Sequence, residues 1–176
     1  GWTIYVDYND NGILDGEEPS DVTDTNGDYL IEGVFPGTHT VREVAQTDWT
    51  CSYPNPGAAD AMGLVTSTDC TYSENFQSRV PETGNDFGNW TFATKAGTKY
   101  LDNDGDGGFD SPLSGYTIYV DYNDNGSHDA ATEPYDVTGA DGTYLITGVL
   151  PGTWKVREIQ LNTMWVCTFP TNSDFL

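Results

Sequence analysis

Residues Asp7 to Glu18 read DYNDNGILDGEE, five carboxylates and two asparagine amides within twelve positions. Their spacing is that of a calcium loop. Asp7, Asn9 and Asn11 fall at the first, third and fifth ligand positions, and Gly12 stands where the chain must turn sharply. Ile13 offers its backbone carbonyl, Asp15 follows at the ninth position, and Glu18 closes the loop at the twelfth. Calcium takes six to eight oxygens, which this set can supply. Magnesium keeps more of its waters, and zinc wants His or Cys, which do not cluster here.

The pattern returns twice. Asp121, Asn123, Asn125, Ser127 (through its carbonyl) and Asp129 repeat it, with the closing acid displaced by one place to Glu133. In DNDGDGGFD, Asp102, Asp104, Asp106, Gly108 (again by its carbonyl) and Asp110 repeat it, but Leu113 occupies the closing position. The reading for that third loop is a ligand borrowed from a neighbour. DTNGDY, with Asp24, Asn26 and Asp28, is a further polar turn, of which the later GADGTY keeps only Asp141. The competing account is ordinary solvated hairpin turns, since Asn-Gly and Asp-Gly favour them. Three loops that each add an Asp at the ninth position are harder to explain as turns alone.

The elements that must position these loops are strands. GWTIYVDYNDNG at Gly1 returns as GYTIYVDYNDNG at Gly115, and GDYLIEGVFPGTHTVREV at Gly27 as GTYLITGVLPGTWKVREI at Gly142. WTCSYP at Trp49 returns as WVCTFP at Trp165. In WTIYV, Trp2, Ile4 and Val6 alternate with Thr3 and Tyr5, and in TWKVREI, Trp154 and Val156 alternate with Lys155 and Arg157. Period-two patterning broken by NG, DG and PG turns predicts antiparallel strands, and no amphipathic helix stands out. The repeat has the length of a small β-sandwich. The expected fold is all-β, with tandem Greek-key β-sandwich domains over 1–92 and 93–176 and a junction near Ala93–Gly97. The first repeat lacks its first strand and the second its last strands. Two explanations stand side by side: a window on a longer array, or neighbouring chains that complete one another head to tail by strand exchange.

Composition narrows the function. The 176 residues carry a net charge of −22 with six Lys and Arg, a surface that repels nucleic acid and anionic membrane and attracts cations. No apolar run is long enough to span a bilayer, and no signal peptide is visible in a chain that opens inside a strand-like segment. His39 and His128 are isolated, and no nucleophile elbow, phosphate loop or catalytic triad order is present, so no enzymatic activity is expected. Cys51 and Cys70 share one repeat, which allows a disulfide, and Cys167 matches Cys51 without a counterpart of Cys70; three free thiols are the alternative. Asn89-Trp90-Thr91 is a glycosylation sequon on paper.

GTKYLDNDGDGGFDSPLSGYTIYVDYNDNG, with the DGTY turn and PGTWKVRE that follow, resembles the calcium-binding B-type repeat of serine-aspartate surface proteins. These are relatives of the Cna B-type, prealbumin-like, Ig-like β-sandwich. The resemblance covers most of the chain, least well Pro56 to Glu82, and departs from the family at Leu113, Glu133 and Gly139. It implies an extracellular or cell-surface module, several calcium ions, and a stalk, matrix fibre or head-to-tail filament built from copies of itself. The alternative is an adhesin module that binds host protein or carbohydrate, with Trp90 and Tyr72 as exposed contacts. In Cna-type relatives a glutamate assists a Lys–Asn isopeptide bond. By that analogy Lys99 and Asn89 are candidate partners, with Glu43 or Glu158 as the acid; the competing account is a carboxylate that reaches water or a turn amide.

Overall fold

A computed structural model describes residues 1–54, 70–161 and 164–170. It is all-β, in antiparallel sheets consistent with a β-sandwich, and it has no helix among the described residues. The chain divides into two compact units, Gly1–Thr91 and Phe92–Leu176. That boundary lies beside the expected junction near Ala93–Gly97, and those five residues lie within a strand.

The first unit comprises β1 (Thr3–Asp7), β2 (Ser20–Val22), β3 (Gly37–Glu43), β4 (Trp49–Tyr53), β5 (Thr71–Phe76) and β6 (Gly88–Thr91). Its main sheet runs β2-β1-β3-β5, and β4 pairs with β6. Ile4, Val6 and Val41 form the buried centre, with Tyr29, Ile31, Tyr72 and Phe76 among the side chains packed on it. The alternation expected for β1 has one correction. Ile4 and Val6 face the core, but Tyr5 and Asp7 on the opposite face are buried as well. That face is covered by Arg42 and the acidic loop; burial first, then the Asp7 charge, pushes the Tyr5 hydroxyl pKa up.

The second unit comprises β7 (Ala93–Thr98), β8 (Tyr100–Leu101), β9 (Ser111–Pro112), β10 (Thr117–Asp121), β11 (Tyr135–Val137), β12 (Thr143–Val149) and β13 (Lys155–Glu158). Its sheets are β11-β10-β13, β12-β7 and β8-β9. The core is Tyr116, Ile118, Val120, Ile146 and Val149. Repeated sequences keep their register: Val6 lies opposite Val41 and Val120 opposite Val156.

Two repeated segments take different structures. Thr143–Val149 is strand β12 and pairs with β7, whereas its counterpart Asp28–Val34 carries no strand. Val41 is buried where β5 covers β3, whereas Val156 on β13, with no such neighbour among the described strands, is half-buried.

Candidate metal centre

Strand pairing sets both ends of each acidic loop. Asp7 is the last residue of β1, and Tyr5 pairs with Ser20 of β2, so Asp7 and Glu18 are brought side by side across the mouth of the loop. Asp121 ends β10 in the same way, and Tyr119 pairs with Tyr135 of β11. Asp102 follows β8 directly, and Leu101 pairs with Ser111 of β9.

Within these mouths all three loops share one ladder of side-chain to amide bonds. The first Asp accepts from the amides four and five residues on. Asp7 takes Asn11 N (3.2 Å) and Gly12 N (2.8 Å), Asp121 takes Asn125 N (3.2 Å) and Gly126 N (2.9 Å), and Asp102 takes Asp106 N (3.2 Å) and Gly107 N (2.9 Å). The third and fifth side chains each accept from the amide two residues further, as Asn9, Asn11, Asn123, Asn125, Asp104 and Asp106 do. The backbone is left-handed at the fourth and sixth positions, with φ +57 and +75 at Asp10 and Gly12 and +76 and +86 at Gly105 and Gly107. Glycine at the sixth place removes the clash a Cβ would meet there.

The closing acids decide how the departures in sequence are resolved. Glu18 is buried and joins the two ends of its loop, accepting from Tyr8 N (2.8 Å) and Asp15 N (3.0 Å). Glu133, displaced by one place in sequence, does the same with Tyr122 N (3.1 Å) and Asp129 N (2.9 Å). The extra residue is taken up in the turn where Glu133 N donates to Asp129 O. In the third loop Asp110 assumes this part and accepts from Asn103 N at 2.6 Å. The β8–β9 ribbon closes directly after Asp110, so the loop ends three residues early and its ninth-position acid becomes the closing one.

The loops differ in how charge is balanced. Arg42 on β3 reaches Asp7 (Nε to Oδ2, 2.8 Å) and Asp10, and Arg157 on β13 reaches Asp121 (2.6 Å) and Asp124. Burial pushes the Asp7 carboxyl up, but the Gly12 amide and the Arg42 guanidinium outweigh it and hold the pKa below its usual value. Asp121 behaves likewise, with the Gly126 amide and Arg157 overcoming burial. The two arginines were visible in the repeated VRE motif, yet nothing in the spacing linked them to the loops. The link is cross-strand, since Arg42 lies opposite Tyr5, two residues before Asp7.

No ion pair with Lys or Arg is found in the Asp102 loop among the described residues. Its Asp102 carboxyl is held low first by the Thr168 hydroxyl and then by the Gly107 amide. Carboxylate oxygens of Asp102, Asp104 and Asp110 lie within 4.8 Å of one another. Hard oxygen donors at that separation suit calcium. In the Asp7 loop, Asp15 Oδ2 instead accepts from the side-chain amides of Asn9 and Asn11, both at 2.9 Å. In the Asp102 loop the third and fifth side chains are instead carboxylates, Asp104 and Asp106. Comparison with protein-family models, with curated proteins and with solved structures finds no match to this chain.

The remaining candidates fall in other places. Cys51 and Cys70 form a disulfide, and Cys167 is free and exposed. Asn89 lies on β6, and its amide donates to Glu43 at 2.9 Å, so its sequon nitrogen faces a carboxylate. Lys99 pairs with Glu158 at 2.7 Å. Lys99 and Asn89 therefore each meet an equivalent glutamate, but in different units. Trp90 and Tyr72, expected as exposed contacts, are half-buried, and Tyr72 packs edge-on against Phe87 at 5.4 Å. The imidazoles, read as isolated, sit against aromatic rings: His39 by Tyr8 and Phe76, His128 between Tyr119 and Tyr135.

Proposed function

We propose that this chain is a calcium-stabilised structural module of an extracellular array, stalk or filament, non-catalytic, with ions held in the acidic loops. One observation carries the reading. Three loops of different sequence converge on the same ladder of side-chain oxygens accepting backbone amides, and in the Asp102 loop three carboxylates gather within 4.8 Å of one another, which ordinary hairpin turns do not require. Asp102, Asp104, Asp106 and Asp110 would hold the first ion, and the Asp7 and Asp121 sets, with Glu18 and Glu133, the others. Bound calcium would supply the positive charge that the Asp102 cluster lacks among the described residues, and would add to Arg42 and Arg157 in the other two loops. The disulfide is compatible with an oxidising compartment, which supports the extracellular placement. The resemblance to serine-aspartate B-type repeats points the same way.

At millimolar calcium and a dissociation constant a hundredfold lower, each site adds about 2–3 kcal/mol. The test is thermal melting with calcium and with excess chelator. A clear fall in Tm on chelation supports the reading, and superimposable melts refute it.

A second reading, recognition of host protein or carbohydrate, is favoured by a cleft of about 1330 Å³ in the second unit. Tyr100 and Phe109 stack at its edge, with Phe169 packed edge-on against Phe109. Binding of a glycan array that is lost in Phe109→Ala would favour it over a purely structural role.

A further inference from the structure

The counterpart segments Asp28–Val34 and β12 differ in structure although most of their bonds are the same. Leu30 N donates to Asp21 Oδ2 and Leu145 N to Asp136 Oδ2, both at 2.7 Å. Asp24 N donates to Asp28 O and Gly139 N to Thr143 O, both at 2.9 Å. The turn glycines share a left-handed backbone, φ +90 at Gly27 and +73 at Gly142. One side of the Asp28–Val34 segment is thus held as β12 is held. What differs is the other side. There β12 carries β7, with Tyr144 opposite Gly97, Ile146 opposite Lys95, and Lys99 N donating to Gly142 O at 2.9 Å.

Space and charge both say what fits the open side. A methyl group on Gly142 would meet the Lys99 carbonyl at 2.5 Å, whereas one on Gly27 would meet nothing within 4 Å. Among the described residues, none fills in the first unit the place that the end of β7 fills in the second. Asp24, Asp28 and Glu32 stand where the second unit has Gly139, Thr143 and Thr147. The Asp28–Val34 edge is therefore more acidic than the one β7 now occupies. β7 with the residue after it carries Lys95 and Lys99, two of the six basic residues in the chain. Glu43 completes the match. Its equivalent Glu158 holds Lys99, while Glu43 is half-buried with the neutral Asn89 amide as its partner.

We propose that the Asp28–Val34 edge is a strand-acceptor site whose occupant is the Ala93–Lys99 strand of a second copy of this chain. The incoming strand lies antiparallel, with Gly97 opposite Tyr29, Ala96 opposite Leu30 and Lys95 opposite Ile31. Its Lys99 ammonium then meets the Glu43 carboxylate, as it meets Glu158 at home. The acceptor is already shaped, and the donor leaves β12 and Glu158 of its own chain to fill it, so the association is a strand exchange. Backbone bonds supply affinity, and the Lys99–Glu43 pair supplies register and choice of partner. Because donor and acceptor lie on different parts of the chain, the contact is head-to-tail and propagates. This proposal deepens the array-forming role and rests on it.

The test is sedimentation velocity of the full chain in calcium, with Asp28→Lys/Glu32→Lys as the acceptor variant. Both positions are exposed, so the variant keeps its fold. Wild type associates as concentration rises, the variant associates at least about tenfold more weakly, and a peptide of residues 92–100 competes. Hydrogen exchange slows across Tyr29–Val34 when the peptide is added to wild type. Equal association of variant and wild type, or exchange at Tyr29–Val34 that the peptide leaves unchanged, overturns the proposal. A chelator melt on the same samples keeps the two ideas apart. A calcium-dependent Tm with no strand binding sinks only the acceptor site, and strand binding with a calcium-independent Tm sinks only the calcium role.

Discussion

The Asp7 loop and the Asp102 loop have nearly the same backbone and opposite charge economies. The first is anchored between β1 and β2 of a four-stranded sheet, and a third strand lends it Arg42. The second is mounted on a ribbon of two-residue strands, with four carboxylates and no Arg or Lys paired to them among the described residues. A loop with its own counter-charge can fold before an ion arrives. A loop without one holds its like charges together against a repulsion that a bound cation would offset. The Arg42- and Arg157-clamped loops thus carry part of their own charge balance, and the Asp102 loop leaves its carboxylates without a Lys or Arg partner among the described residues.

The largest effect that would break this comparison comes from removing a clamp. Arg42→Met leaves Asp7, whose side chain is fully buried, without its counter-charge, and should cost about 3 kcal/mol in urea unfolding. Arg157→Met should cost less, because the Arg157 side chain is 35% exposed against 23% for Arg42. Unchanged midpoints would mean the amides alone hold the loops. Next comes calcium itself. Affinity rises with ligand charge, so the Asp102 loop should fill first, and Asp104→Asn/Asp106→Asn should remove the tightest step in calorimetric titration. The loss at saturating calcium is about 2–3 kcal/mol. If the tightest step survives, the ranking of loops is wrong.

A smaller effect sharpens the difference between Asp28–Val34 and β12. Alanine at Gly27 or Gly142 forces a side chain into a left-handed backbone, costing about 1–2 kcal/mol. Gly142→Ala should lose about 1 kcal/mol or more beyond Gly27→Ala, because its methyl group also collides with the Lys99 carbonyl. Equal losses would mean β7 is not seated on β12 in solution. The smallest effect is the response to acid. Asp7 and Asp121 are held below the ordinary carboxyl pKa of 3.8 in the folded state. Their contribution is therefore complete above that value and is lost as pH falls through the lower folded-state pKa. Stability should stay level in this respect from neutral pH to about pH 5 and decline below about pH 4. Arg42→Met should flatten the decline, since it removes one cause of the lowered Asp7 pKa.

Much of the site was legible because its chemistry is local. An oxygen side chain at every second position, with glycine at the sixth, needs only a few residues to make its turn. Asp7, Asn9 and Asn11 could therefore be placed before any fold was known. The closing acid of the third loop was less legible because it depends on where two strands meet. Leu113 stands at the expected position, but the β8–β9 pairing ends the loop at Asp110. Arg42 and Arg157 were illegible as clamps, since their partners lie 35 and 36 positions away, across a sheet.

By itself the sequence determined the all-β class, the internal repeat and the composition of the acidic loops. Each of these rests on short-range preferences: alternation, turn residues and the spacing of donors. Only the tertiary structure decided that Asp110 closes the third loop, which arginines pair with Asp7 and Asp121, and that DYLIEGV is left without the strand pairing of TYLITGV. Strand formation needs a partner for its backbone amides and carbonyls, and whether a partner arrives is settled by the rest of the chain.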